Sequence, residues 1–173
     1  MLDAFAELTG RVVSWLTLAM VLVTLLVVVL RYLFGIGSIA LQESVTYMHA
    51  AVFMLAAAYT LKHDAHVRVD IFYQQYSPRT RAWIDLLGTL LFLGPVSIFV
   101  FTVSLDYVMT SWSIHEGSRE AGGLDGVYLL KTVIPLMAAL LLLAGCSVVL
   151  RSLLIIAGRP LPGEADSGPD REL

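Results

Sequence analysis

Cysteine is all but missing: Cys146 is the only one in 173 residues. An intrachain disulfide is therefore excluded, and without a CxxC pair a zinc or thiol redox role has no ligand set. Cys146 lies in an apolar run between Gly145 and Ser147 and reads as a small packing residue. Charge is scarce too, at 14% of residues, and a net charge of −3 argues against nucleic acid as a partner. No P-loop, GxGxxG or Ser/His/Asp set is present, and no repeat, so the chain reads as not an enzyme.

What is present in excess is hydrophobicity. Apolar residues make up 58% of the chain, and the mean hydropathy of +0.80 is far above that of a soluble domain. Charge-free stretches run over Val12–Leu30, Ser44–Leu61, Leu86–Leu105 and Thr132–Leu150. A bilayer core about 30 Å thick takes about 20 apolar helical residues, so each stretch suffices for one crossing. Helices are the economical way to satisfy the backbone in lipid. The expected fold is an all-α membrane protein of four long, tilted transmembrane helices with both termini cytoplasmic. Residues 1–157 form the transmembrane domain, and 158–173, rich in Pro, Gly, Asp and Glu, form a disordered cytoplasmic tail. The first stretch is expected to stay as an anchor. Asp3 and Glu7 precede it instead of a basic cluster, and Arg31-Tyr32-Leu33-Phe34 follows it instead of a cleavage site.

Boundary signals divide the chain further. The first helix is expected from Asp3 to Phe34, with Gly35-Ile36-Gly37 breaking it and Ser38 capping the second. That short hairpin makes the first two helices antiparallel neighbours. On the second helix Ala50, Ala51, Ala57 and Ala58 form a small-residue stripe for close helix approach. Thr46, His49, Phe53, Ala56 and Thr60 form another. Ser77-Pro78 is a strong helix start, and the third helix is predicted over Pro78–Ser113. Those residues span roughly 54 Å at 1.5 Å each, more than the bilayer core, so the helix must tilt, protrude or kink, and a kink is predicted at Gly94-Pro95. The fourth is expected from near Asp125 to Arg151 or a little beyond, with Ala138 and Gly145 as a small seam.

Between the two apolar halves lies the densest charged patch, Lys62-His63-Asp64-Ala65-His66-Val67-Arg68-Val69-Asp70. Its His and Asp residues could ligate a metal, but no second cluster completes a shell, and a polar connector explains them better. No metal is therefore expected. His49 is the only histidine clearly inside a span. Haem ligation would need a second axial histidine on a facing helix, so hydrogen bonding to a neighbouring helix or subunit is the preferred reading. Glu43, Glu116 and Lys131 are the charges nearest the far ends of the spans, and Trp112 suits an interface there. Lys131 pairs with Glu116, pairs with a partner's carboxylate, or snorkels to the headgroups. Gly122-Gly123 is a turn signal. The span middles read as free of acidic and basic groups, which disfavours an ion-coupled carrier acting alone. For the same reason a small multidrug exporter fits poorly, since Glu43 lies too near an end. A cytochrome-b-like anchor of a respiratory dehydrogenase is the alternative, lacking its second histidine.

Arg31-Tyr32-Leu33-Phe34, Gln42-Glu43, His66-Val67-Arg68-Val69-Asp70, Ser111-Trp112, Glu116-Gly117-Ser118, Gly122-Gly123-Leu124, Lys131 and Pro135 together resemble a family. It is the small, DctQ-like membrane subunit of tripartite ATP-independent periplasmic (TRAP) transporters. Many members carry a tryptophan and two acids before the second helix, where this chain has Leu41-Gln42-Glu43. The resemblance implies a multi-pass subunit of the bacterial inner membrane, acting in sodium-driven import of organic acids. It implies two protein partners, a large membrane subunit holding the substrate and sodium sites and a periplasmic substrate-binding protein, and no cofactor in this chain. Glu43, His49, His66, Arg68, Asp70, Trp112, Glu116, Ser118, Gly122, Gly123 and Lys131 become subunit-interface or architectural candidates. His66 to Asp70 would fix the turn between two hairpins.

Orientation follows from the basic residues. Arg11, Lys62, Arg68, Arg79, Arg81, Arg151, Arg159 and Arg171 share the side of the termini, against Arg31, Arg119 and Lys131 on the other. That bias puts the termini inside. Anionic phospholipid on that leaflet attracts Arg79 and Arg81 by about 1 kcal/mol each, against about 0.3–1 kcal/mol each from the helix dipole. A reporter active only in the periplasm, fused after Leu173, is expected to stay silent; strong activity would reverse the orientation.

Overall fold

A computed structural model describes residues 2–62, 73 and 75–159, with side chains from Ser14 onward and Lys62 excepted. Helix α1 covers Leu2–Leu33 and α2 covers Ile39–Lys62. Helix α3 covers Pro78–Gly88, a π-helical turn follows over Thr89–Leu93, and α4 continues over Gly94–Ser113. Helix α5 covers Val127–Ile156. Four helical stretches are long and apolar enough to cross a membrane: Ser14–Leu33, Ile39–Leu61, Pro78–Ser113 and Val127–Ile156. The metal reading of His63, Asp64, His66 and Asp70, the turn assigned to His66–Asp70 and residues 160–173 of the tail lie outside the described residues.

The ends form as local chemistry dictates. Gly35 takes a φ of +67°, open to glycine, and the Ile36 N–H returns 3.0 Å to the Leu30 carbonyl. Ser38 Oγ accepts from the Leu41 N–H at 3.4 Å. Ser77 Oγ accepts from the Thr80 N–H at 3.3 Å, with Pro78 at the first helical position. At the end of α5 the Gly158 N–H bonds the Ile155 carbonyl (3.1 Å) and the Arg159 N–H bonds that of Leu154 (3.0 Å). This is a Schellman motif with Gly158, φ +67°, as its left-handed residue.

Where a kink is predicted at Gly94-Pro95, the helix instead widens into the π turn over the five residues before it. Pro95 has no N–H and its ring crowds the preceding turn. One wide turn relieves both, and the Gly94 N–H reaches back to the Thr89 carbonyl.

The spans pack as a row. Helix α1 lies along α2, α2 along α5, and α5 along α3, the π turn and α4, while α1 meets α5 only slightly. A row has little interior, so few side chains are fully buried. The tightest contacts are made by small residues. Ser97, Ser104 and Ser111 on α4 are buried at seven-residue spacing, and so are Ala138, Gly145 and Ser152 on α5. In lipid such residues allow close backbone approach, and the heptad spacing keeps the seams in register along a left-handed crossing. Ala58 of the α2 stripe is buried. Thr46, His49 and Phe53 face outward, as do Trp15, Leu25 and Phe99. Cys146 is exposed on α5, so it does not pack within this chain.

Gly145 faces the π turn: a Cβ there would lie 3.1 Å from Leu93 Cδ2 and 3.3 Å from Thr89 Cγ2. Gly145→Leu is expected to destabilise the chain by about 1–3 kcal/mol through overpacking. Thermal unfolding in detergent would show a lowered midpoint, with Gly145→Ala closer to wild type. An unchanged midpoint for Gly145→Leu would mean that the seam does not hold these helices together.

Candidate functional site

A cluster of polar groups forms at the end of the row where α1 stops and α5 starts. Helix α4 ends in a second Schellman motif: the His115 N–H bonds the Trp112 carbonyl (3.2 Å) and the Glu116 N–H bonds that of Ser111 (3.0 Å). Here the left-handed residue is His115, φ +46°, where glycine is usual. The reversal brings Glu116 back over the last turn of α4. Its Oε2 accepts from Ser111 Oγ at 2.7 Å and from the Lys131 ammonium of α5. Lys131 Nζ also stands 4.0 Å from the centre of the Tyr107 ring, a cation–π contact. Beside it the Trp112 indole N–H donates to Thr132 Oγ1 (2.9 Å), and the Trp112 ring meets Tyr128 edge to face at 4.7 Å.

A second carboxylate reaches the same loop from the far hairpin. Glu43, in the second turn of α2, accepts the Ser118 hydroxyl on Oε1 and the Leu124 N–H on Oε2, the latter at 2.7 Å. Ser118 and Leu124 also close the loop on themselves, N–H to carbonyl at 3.0 Å. Within it the Gly123 N–H bonds the Glu120 carbonyl at 3.0 Å, and Gly122 has φ +79°. That is a type II turn, which takes glycine at its third position. At Gly123 a Cβ would run into the Ser118 side chain and lie 2.7 Å from Glu43 Oε2. Gly117 is similarly confined, 2.7 Å from Asp125 Oδ1.

The structure thus gathers Glu43, Trp112, Glu116, Ser118, Gly122, Gly123 and Lys131 into one brace, with Lys131 paired to Glu116. His49 is elsewhere, exposed on α2 and stacked on Phe53 at 6.3 Å. His66, Arg68 and Asp70 lie outside the described residues. Ser111, Thr132, Tyr107, Tyr128 and Gly117 belong to the brace but were not assigned to it from sequence. Their signal was weak: a serine heptad on α4 and a threonine beside Lys131. Tyr47, one turn after Glu43, was also passed over; its hydroxyl is buried without a hydrogen-bond partner among the described residues. No three His, Cys, Asp or Glu side chains converge among the described residues as a metal site would need.

These contacts define a class: a four-span membrane subunit in which carboxylates from two hairpins brace one connecting loop. Residues 20–154 match the family described as tripartite ATP-independent periplasmic transporters, DctQ component. The match covers most of the chain, and the chain belongs to this family. No curated protein matches it. Membership makes it the small membrane subunit of a TRAP transporter, an inner-membrane protein that works with a large membrane subunit and a periplasmic binding protein. The dehydrogenase-anchor alternative finds no support.

The Lys131 ammonium, followed by the Ser111 hydroxyl, holds the Glu116 carboxyl below its ordinary range. A carboxyl lowered in the folded state adds stability above its unfolded pKa, about 4.3, and loses it as pH falls through the lower folded value. The unfolding midpoint in detergent should therefore fall on acidification below about pH 4.3. In Glu116→Gln the midpoint should be lower at neutral pH and flatter across that acid range. Parallel curves for the two proteins would mean that the pair adds no stability.

Proposed function

We propose that this subunit is a fixed scaffold, without a substrate site of its own, in a sodium-driven importer of organic acids. The observation that carries the reading is the brace. Glu43 commits both carboxylate oxygens, and Glu116 its Oε2, to donors of this chain. Groups so engaged hold two hairpins in a fixed relation, and a mover that carries substrate across the membrane needs such a fixed body to work against. The row of helices supports the same reading, because it offers the large subunit long apolar surfaces.

In this reading the brace faces the periplasm and the segment from Lys62 to Asp70 faces the cytoplasm, as the basic residues favour. The loop from Glu116 to Leu124 then sits at the periplasmic face, near where the binding protein docks. His66, Arg68 and Asp70 fix the cytoplasmic turn between the hairpins. Sodium and substrate bind on the large subunit.

The test is reconstitution. Tagged chain purified from membranes that co-express the large subunit should bring it down in stoichiometric amount. Proteoliposomes holding both subunits, supplied with the binding protein and an organic acid, should take the acid up when a sodium gradient is imposed. Proteoliposomes holding this chain alone should not. Purification without a partner, or uptake by the chain alone, would refute the scaffold reading.

A further inference from the structure

The third charge-free stretch ends at Leu105, and the next residue is an acid. Asp106 lies within α4, and its side chain is exposed. Its backbone carbonyl takes the Thr110 hydroxyl at 2.8 Å, but its carboxylate has no donor among the described residues. Lys131, the cation of α5 at this end of the row, is already held by Glu116 and the Tyr107 ring.

Its direction is defined by the seam. At about 100° per residue, Ser97, Ser104, Val108 and Ser111 fall on one line of α4, and Asp106 falls on the opposite line. The first four are buried. Because α4 ends the row, with α5 as its packing neighbour, the line of Asp106 is the free edge of the layer. Thr102, Thr110 and Ser113 flank it, all exposed. Their hydroxyls donate to their own helix, to Ile98 (3.0 Å), Asp106 and Thr110 (2.7 Å) carbonyls respectively. The other edge differs: α1 exposes Trp15, Leu18, Leu22 and Leu25.

Depth makes the carboxylate costly. Trp112 marks the interface, and six residues at 1.5 Å each put Asp106 roughly 9 Å deeper. Lysine and arginine can snorkel from such a depth, but the short aspartate side chain cannot. An ionisable group there faces a partner in preference to lipid.

We infer that the free edge of α4, centred on Asp106, is covered by a helix of the large subunit that presents a lysine or arginine to this carboxylate. The inference rests on the scaffold reading and adds to it the docking face and the sign of the partner's charge. Leucine suits lipid, so Asp106→Leu keeps this chain stable in the membrane while leaving the partner's cation unpaired. The variant should reach wild-type abundance in membranes and bind the large subunit at least about thirtyfold more weakly. Replacing the facing cation with leucine as well should restore part of the binding.

A second measurement leaves Asp106 in place. In a Cys146→Ser background, a photo-crosslinker on Thr110→Cys should capture the large subunit, and one on Leu22→Cys should not. Capture of a second copy of this chain, capture of lipid alone, or full binding by Asp106→Leu would overturn the inference. In those cases stoichiometric recovery of the large subunit with wild-type chain would leave the scaffold reading standing. Failure of the wild-type chain to recover it would overturn both.

Discussion

The arrangement depends on one carboxylate that reaches between hairpins. Glu43 belongs to the hairpin of α1 and α2, and the loop it holds belongs to the hairpin of α3, α4 and α5. The hairpins otherwise meet mainly along α2 and α5, with a slight contact of α1 on α5. Apolar packing between helices in lipid is weakly directional, because lipid tails are as apolar as leucine. A charge-assisted bond to a backbone N–H is short and directional. Glu43 therefore sets the register of one hairpin against the other, while the α2–α5 contact supplies area.

The same economy explains the glycines and the strained histidine. A loop that must present both a hydroxyl and an N–H to one carboxylate folds tightly on itself. Gly117 and Gly123 sit where a Cβ would collide, and Gly122 where φ is positive. His115 takes a left-handed conformation that costs a non-glycine residue about 1–2 kcal/mol. The Glu116–Lys131 and Glu116–Ser111 contacts that follow it offset that cost. The pair is mostly shielded, with 14% and 24% of the Lys131 and Glu116 side chains exposed, so water competes with it only in part.

Much of this was legible in the sequence, and what was not has a physical reason. Spans are local properties, and so are the caps at Ser38 and Ser77 and the break at Gly35. The disturbance at Gly94-Pro95 was legible, but its form was not. Proline demands relief, and whether a helix kinks or widens depends on what lies opposite, here Gly145. The bond from Glu43 to Ser118 joins residues 75 apart in the chain and depends on which hairpin faces which. Lys131 had three readings on paper, and the reversal at His115 is what brings Glu116 to it within this chain. Asp106 escaped notice because it falls just past a charge-free stretch, where it reads as a boundary. Its meaning comes from the helix face it occupies.

The row has a mechanical consequence. One helix is about 10 Å thick, and four side by side at 8–10 Å spacings make a plate about three to four times wider than it is thick. Bending stiffness rises steeply with the dimension along which a body is bent. Such a plate resists load applied within its own plane and yields to load across it. The brace adds side-chain bonds across one rim of the plate, where α1 stops and α5 starts. Load applied at that rim therefore meets the plate where its helices are tied together by directional bonds as well as by packing.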